Sequence, residues 1–423
     1  MALRLLVSRT ARLSQRHLLK SPFQTLGIRV AGCSSVPPPE SSDEEIVHPK
    51  DKKLFTPGPL GTSFTVKKSM LRDVGSRDED FIDCVHFIRS KLLEIAGVSQ
   101  AEYTAIPLQG SGTYAVEAVI TTATPKTGGK LLVIVNGSYG KRMVKICEVS
   151  GIETIVLQGE EAQKVDLQSV ENTLKQHPDL NGVCIVHCET STGVIHPVEA
   201  VGKLVRMHTP NAFFFVDAMS SFGAVPLNLE GAQITYMVSS ANKCIEGVPG
   251  FSFVLAEKKH LLSCRGQSRT LSLDIVDQFE GLEKSGQFRF TPATHAMLAF
   301  RTALRELAEE GGVIGRAERY MENRHILHDG MRKLGFKEFL DDTHEGYIIT
   351  SFFYPKHPNF DFTQFYKHLS AKDQVIYPGK VTEADCFRIG NIGHLFPKDM
   401  EHLLKCIEEV LADMDIPTPI MEQ

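Results

Sequence analysis

The stretch YMVSSANKCIEG, residues 236–247, decides how the chain is read. Five residues of strand character, Tyr236–Ser240, end in small polar side chains, and Lys243 stands where the chain turns into a glycine-containing loop. A lysine is rarely buried without a partner, and the carboxyl ends of strands in an α/β sheet open onto ligand crevices. Taken alone, Lys243 is a solvated loop residue. Its neighbours along the chain decide otherwise.

Outward from this stretch lie further short apolar runs: KLLVIV (130–135), GVCIVHC (182–188), AFFFVDA (212–218), ITYMVSS (234–240) and FSFVLA (251–256). They are apolar nearly throughout, as strands covered on both faces must be. Stretches 139–150 and 197–208 supply covering helices. The pattern predicts an α/β layer around a mainly parallel sheet. After about residue 297 it changes. AMLAFRTALRELAEEGG (296–312) reads as a long helix, GYIITSFFYP, QVIYPG and CFRIGNI as strands, and DMEHLLKCIEEVLADM (399–414) as a last helix. The expected division is a large domain over 49–297 and a smaller α+β domain over 298–423.

The chain of 423 residues carries a formal charge of −5 and no basic patch of nucleic-acid type. It has no apolar run of about 18 residues, so no transmembrane span is expected. Nine scattered cysteines form no CxxC pair. An odd count in a long chain argues for a reducing compartment over a disulfide framework. Cys184 and Cys188 read as buried thiols on one strand face. Strand alternation sends His187 to the other face, against a zinc site. The first 39 residues differ: Arg4, Arg9, Arg12, Arg16, Lys20 and Arg29 occur with no acid before Glu40, interleaved with leucine and serine. That is the composition of a mitochondrial transit peptide. It predicts a matrix protein with a presequence and linker over residues 1–48.

Two motifs give Lys243 company. LQGSGTYAVEAVI (108–120) is a glycine-rich turn entering a helix, where Ser111, Gly112 and Thr113 can cradle a phosphate against free N–H groups. The spacing matches neither the Walker nor the dinucleotide fingerprint. AFFFVDAMSSFGAVPL (212–227) puts Asp217 at the end of a very apolar strand, where a carboxylate needs a partner. A capping Asp and a counter-ion to a protonated ring nitrogen or a metal both fit that position. A lysine, an acid and an anion cradle around one crevice are what pyridoxal phosphate requires.

From about Leu54 to Leu411 the chain resembles the fold-type I, class V pyridoxal-phosphate aminotransferases. The motifs, in order, are LFTPGPLGTS, MLRDVGSRDEDF, LQGSGTYAVEA, VNGSYGKR, HCETSTGVIHP, VDAMSSFGAVPL, SSANKCIEGVPGF, FRFTPATHA and FRIGNIG. MLRDVGSRDEDF, ANKCIEGVPGF and RFTPATHA look most like the branch that moves the amino group of 2-aminoethylphosphonate to pyruvate. The resemblance implies a fold-type I architecture, a homodimer and the cofactor pyridoxal 5′-phosphate. It makes Lys243 the residue that carries the cofactor and moves the proton, and Asp217 the partner of the pyridine nitrogen. Ser111, Gly112 and Thr113 would hold the phosphate, with Asn242 beside them. Tyr139 would stack on the ring and Thr190 would meet its hydroxyl side. Thr291 would reach the phosphate bound by a neighbouring subunit, and Arg388 would clamp the substrate carboxylate with its planar fork. Alanine–glyoxylate or serine–pyruvate transamination is the alternative within the class. A catalytically inactive binding protein is a remote one, against which the set Lys243, Asp217 and Arg388 speaks. Cysteine desulfuration would call for a His before the lysine, where this chain has Asn242.

Overall fold

The computed structural model of the chain describes residues 51–340, 346–377 and 385–421. The presequence expected over 1–48 lies outside the described residues.

Seven strands form the central sheet: β1 (Tyr103–Gln109), β2 (Lys130–Val135), β3 (Glu153–Gln158), β4 (Gly182–Val186), β5 (Phe213–Asp217), β6 (Tyr236–Ser240) and β7 (Phe251–Glu257). Their order across the sheet is β1-β7-β6-β5-β4-β2-β3. β7 is antiparallel to both neighbours, and the other pairs are parallel. The central strands β4, β5 and β6 are buried at every position, which is why their sequences carry no alternation.

Helices cover this sheet. α1 (Glu79–Ala96) starts on the side chain of Asp78, which accepts the Asp80 N–H, and stops at Gly97 in the left-handed region at φ +66°. α2 (Gly112–Ala123) follows β1, α3 (Ser138–Val149) follows β2, and α4 (Val198–His208) precedes β5. α5 (Thr294–Glu309) buries Met297, Phe300 and Leu304 in the same core. The expected domain division at 297/298 therefore falls inside one helix.

A second core gathers Phe336, Phe352, Phe365 and Phe387 between α6 (Gly312–Leu334), α7 (Pro397–Asp413) and an antiparallel pair, β8 (Ile349–Phe353) and β9 (Cys386–Gly390). The N-terminal strand Lys53–Phe55 pairs in parallel with Gln374–Ile376, so Phe55 is buried in this second core and not in the first.

One detail of the sequence reading is corrected. The strand holding Cys184 stops at Val186, and Cys188 belongs to a separate short pairing with Ile195. His187 between them turns its Nδ1 to the Ser221 hydroxyl at 2.9 Å, and its N–H donates to the Asp217 carbonyl. Both cysteines are buried free thiols.

Candidate active site

The site grows from two adjacent parallel strand ends. Asp217 is the last residue of β5, in register with Val238 of β6 on one side and Val186 of β4 on the other. Lys243 lies three residues past the end of β6, in the connection that reverses into β7. The connection is tight. The Ala241 N–H bonds to the Phe251 carbonyl, the Gly247 N–H to the Ala241 carbonyl and the Glu246 N–H to the Lys243 carbonyl. Facing these ends is the start of α2. Among the described residues its N-cap Ser111 makes no side-chain capping bond, and Ser111, Gly112 and Thr113 line the pocket at a helix start, where N–H groups lack intrahelical partners.

One pocket brings together Ser111, Gly112, Thr113, Tyr139, Thr190, Asp217, Asn242 and Lys243. Sequence reading had singled out all eight. The pocket also holds Arg142, Met219 and Ser240, which it had not, and Cys188, which it read as a buried thiol. Arg142 was present in VNGSYGKR, three residues after Tyr139 and hence on the same helical face. Its Nη1 donates to the Thr113 hydroxyl at 3.2 Å, and its guanidinium carbon stands 4.8 Å from the Tyr139 ring centre. Gly112 is small for a reason of space: a Cβ there would stand 2.2 Å from the Met219 sulfur.

Electrostatics distinguish the two central groups from ordinary ones. Asp217 is buried, and its Oδ1 accepts the Met219 N–H at 2.9 Å. Burial, with the nearby Glu189 carboxylate adding to it, pushes its pKa up to about 6 despite that bond. Burial also brings Lys243 down to about 8, the nearby Cys244 and Asp217 pulling the other way. An amine with that pKa is partly neutral near physiological pH and able to attack a carbonyl. The ammonium donates to the Pro57 carbonyl at 2.6 Å, so the N-terminal segment TPGP borders the lysine. Glu189, also missed by sequence reading, holds the site's wall. Its two oxygens accept the Tyr139 N–H at 3.2 Å and the Ser191 N–H and hydroxyl at 3.2 and 2.6 Å.

Two expected residues stand outside this pocket's lining. Arg388, on β9 opposite Ser351, is 6% exposed and reaches the pocket wall by donating from Nη1 to the Thr190 carbonyl at 2.9 Å. Its guanidinium lies 4.6 Å from the Tyr377 ring centre, and its Nε has no hydrogen-bond partner among the described residues. Thr291 is exposed on the surface, its carbonyl accepting from Gln109 Nε2 at 3.0 Å.

A protein-family model, aminotransferase class-V, matches residues 64–370. The chain belongs to this family. A 2-aminoethylphosphonate–pyruvate transaminase of Bacteroides fragilis is 48% identical over 358 residues, covering 84% of this chain and 98% of that protein. A protein of Clostridioides difficile described as a bifunctional phosphonoacetaldehyde hydrolase/aminoethylphosphonate transaminase is 43% identical over 373 residues, 88% of this chain and 58% of its own length. Among solved structures, the ureidoglycine–glyoxylate aminotransferase of Bacillus subtilis superposes with a TM-score of 0.80 at 22% identity, covering 88% of this chain and 96% of that one. The alanine–glyoxylate aminotransferase of Nostoc superposes with 0.78 at 23% identity, over 86% and 97%. These two likenesses establish the fold. For the class-V aminotransferase chain, the pocket chemistry also fits a particular cofactor shape. An uncapped helix start suits a phosphate, a buried acid suits a protonatable ring nitrogen, and a lowered-pKa amine suits an aldehyde.

Proposed function

We propose that this class-V aminotransferase binds pyridoxal 5′-phosphate and moves the amino group of 2-aminoethylphosphonate to pyruvate, yielding phosphonoacetaldehyde and L-alanine. The observation that carries the cofactor is the pairing of Asp217 and Lys243 on adjacent strand ends opposite the start of α2. The substrates rest on the names of relatives at 43–48% identity. When bound, the cofactor supplies an electron sink for the carbanion left when a proton departs from the amine-bearing carbon. In this reading Ser111, Gly112, Thr113 and Asn242 would hold the phosphate, Tyr139 would lie against the ring, and Thr190 would meet its hydroxyl side. Asp217 would keep the ring nitrogen protonated. Lys243 would carry the cofactor and move the proton. Arg388 grips the anionic end of the substrate, the carboxylate of pyruvate or the phosphonate of the amine, by charge-assisted hydrogen bonds. Thr291 serves the site of a second copy in a homodimer.

The test is chemical. Purified protein loaded with pyridoxal phosphate should be yellow, and borohydride should fix the label on Lys243; a label on another lysine sinks the assignment. Single-turnover reaction with a panel of amines should then be fastest with 2-aminoethylphosphonate. Faster reaction with serine or alanine, with glyoxylate a better acceptor than pyruvate, would favour the alanine–glyoxylate reading.

The mitochondrial matrix is proposed from the basic, acid-free composition of residues 1–39. A reporter fused to residues 1–48 should enter mitochondria and stay in the cytosol once Arg4, Arg9, Arg12 and Arg16 are replaced by Glu. A cytosolic reporter with the native segment refutes this.

A further inference from the structure

The loop that carries Lys243 also enters a buried polar cluster that the proposed reaction does not use. Glu246, three residues past Lys243, is 3% exposed. Its backbone sits at φ +62°, in the left-handed region that glycine fills without steric cost. The following residue is a glycine, so the chain keeps a glutamate in the more demanding place. The reason is visible in its side chain. Oε1 accepts from Tyr320 Oη at 2.6 Å and from Arg319 Nη2 at 2.7 Å, with Arg316 Nη1 at 3.3 Å.

The three partners sit on one face of α6, at spacings of three and four residues. Each also grips backbone elsewhere. Arg316 Nη1 donates to the carbonyl of Cys244, the residue after Lys243, at 2.5 Å. Arg319 Nη1 donates to the carbonyls of Gly393 and Leu395, both at 2.7 Å. Tyr320 Oη accepts the Gly393 N–H at 3.1 Å. Gly393 and Leu395 belong to the loop that leaves β9 just after Arg388. The cluster thus ties the loop carrying Lys243 to the loop following Arg388 through one helix face.

We propose that Glu246, with Arg316, Arg319 and Tyr320, is a buried strut that fixes Lys243 relative to Arg388, making Glu246 a positioning residue for transamination. The inference rests on the assignment of Lys243 and Arg388 given above. The strut makes a site assembled from two hydrophobic cores behave as one rigid constellation. Because misplacement of a reacting group by 1 Å can cost about 10²-fold in rate, its loss should show in catalysis.

The experiment compares wild type with Glu246→Ala, Glu246→Gln, Tyr320→Phe and Glu310→Ala. Glu310 pairs with the Nε atoms of both arginines, each at 2.6 Å, and among the described residues its carboxylate makes no hydrogen bond to either loop. It also leaves both guanidiniums a counter-ion when Glu246 is truncated, so Glu246→Ala should fold. Tyr320→Phe breaks one link without stranding a charge and covers the case in which it does not.

Amide hydrogen exchange is read without cofactor. Glu246→Ala and Tyr320→Phe should speed exchange in residues 241–247 and in 386–395 together. With cofactor, Glu246→Ala should lower kcat by about 10²-fold and alter the visible circular dichroism of the bound chromophore. Glu246→Gln, which keeps an acceptor oxygen, should restore most of both. Glu310→Ala should lower the melting temperature but leave kcat and the visible spectrum near wild type. Faster exchange in 241–247 alone, or a Glu246→Ala protein with wild-type kcat and dichroism, overturns the strut. A wild-type protein that takes up no cofactor would instead count against the assignment of the site, while the exchange data still decide the strut.

Discussion

Asp217 and Lys243 work against folding before they work for chemistry. Asp217 has a folded-state pKa of about 6, above its ordinary 3.8, so between those values the folded protein holds more protons than the unfolded chain. The Asp217 contribution to the stability of the cofactor-free protein therefore falls as pH rises from about 4 to about 6, and its full penalty persists above that. Lys243 is lowered from 10.5 to about 8, so its penalty is full below pH 8 and is relieved as pH rises towards 10.5. At neutral pH both are present, which is the usual cost of a preorganised site. Asp217→Asn keeps the acceptor for the Met219 N–H and removes the buried charge. The cofactor-free variant should be more stable than wild type near pH 7, by on the order of 1–3 kcal/mol, and equal to it near pH 4. Turnover should fall by several powers of ten, each tenfold being about 1.4 kcal/mol of barrier. Denaturant melts at the two pH values, with a rate assay, check this. A variant less stable than wild type at pH 7, or one that turns over normally, contradicts the account.

Elements were legible where burial is complete and obscure where it is mixed. The central strands announced themselves because both faces are covered. β3 did not, since it is the sheet's edge and its residues are half exposed. β1 carries Pro107, which argues against a strand in general but is tolerated at the opposite edge, where β7 is its only strand neighbour among the described residues. α6 escaped notice because its buried face carries Arg316 and Asn323 among its apolar residues, so no clean apolar stripe marks it. The eight candidates gathered around one pocket were legible because their types and motifs are distinctive, whereas Glu189 and Pro57 act through carboxylate and carbonyl oxygens that no motif of chemistry flags. The segment at Pro57 yields a prediction. Gly58 has φ +126°, and a Cβ there would stand 2.7 Å from Lys243 Nζ. Gly58→Ala must strain the backbone or displace the lysine. It should lower the yield of borohydride-fixed cofactor on Lys243 and reduce kcat by at least about tenfold, with little change in the melting of the two cores. Wild-type labelling and turnover would show that the segment yields freely.

At the scale of the molecule, Thr291 is the expected site residue that the single chain leaves on its surface. Gln109 Nε2 donates to the carbonyls of both Phe290 and Thr291, fixing this segment beside the turn that leads into α2. Phe290 next to it is 46% exposed, and Tyr114, on the first turn of α2, is 53% exposed. A two-fold dimer that covers such a surface carries each copy's residue i to the other's residue j, so Thr291 of each subunit can complete its neighbour's phosphate cradle. Mixing variants separates action within a subunit from action across subunits. Lys243→Ala alone should be inactive, and Thr291→Ala should bind the cofactor more weakly and turn over slowly. In a mixed dimer of the two, one site has neither a lysine of its own nor a threonine from its neighbour. The other has Lys243 from the Thr291→Ala subunit and an intact Thr291 from the Lys243→Ala subunit. If Thr291 acts across the interface, co-refolding the two variants should restore turnover well above either parent, at cofactor concentrations too low to load Thr291→Ala alone. If Thr291 acts within its own subunit, no site in the mixed dimer is whole and the mixture should stay at the level of its parents. Sedimentation at the assay concentration must find the dimer itself; a monomer with full activity would refute the shared site outright.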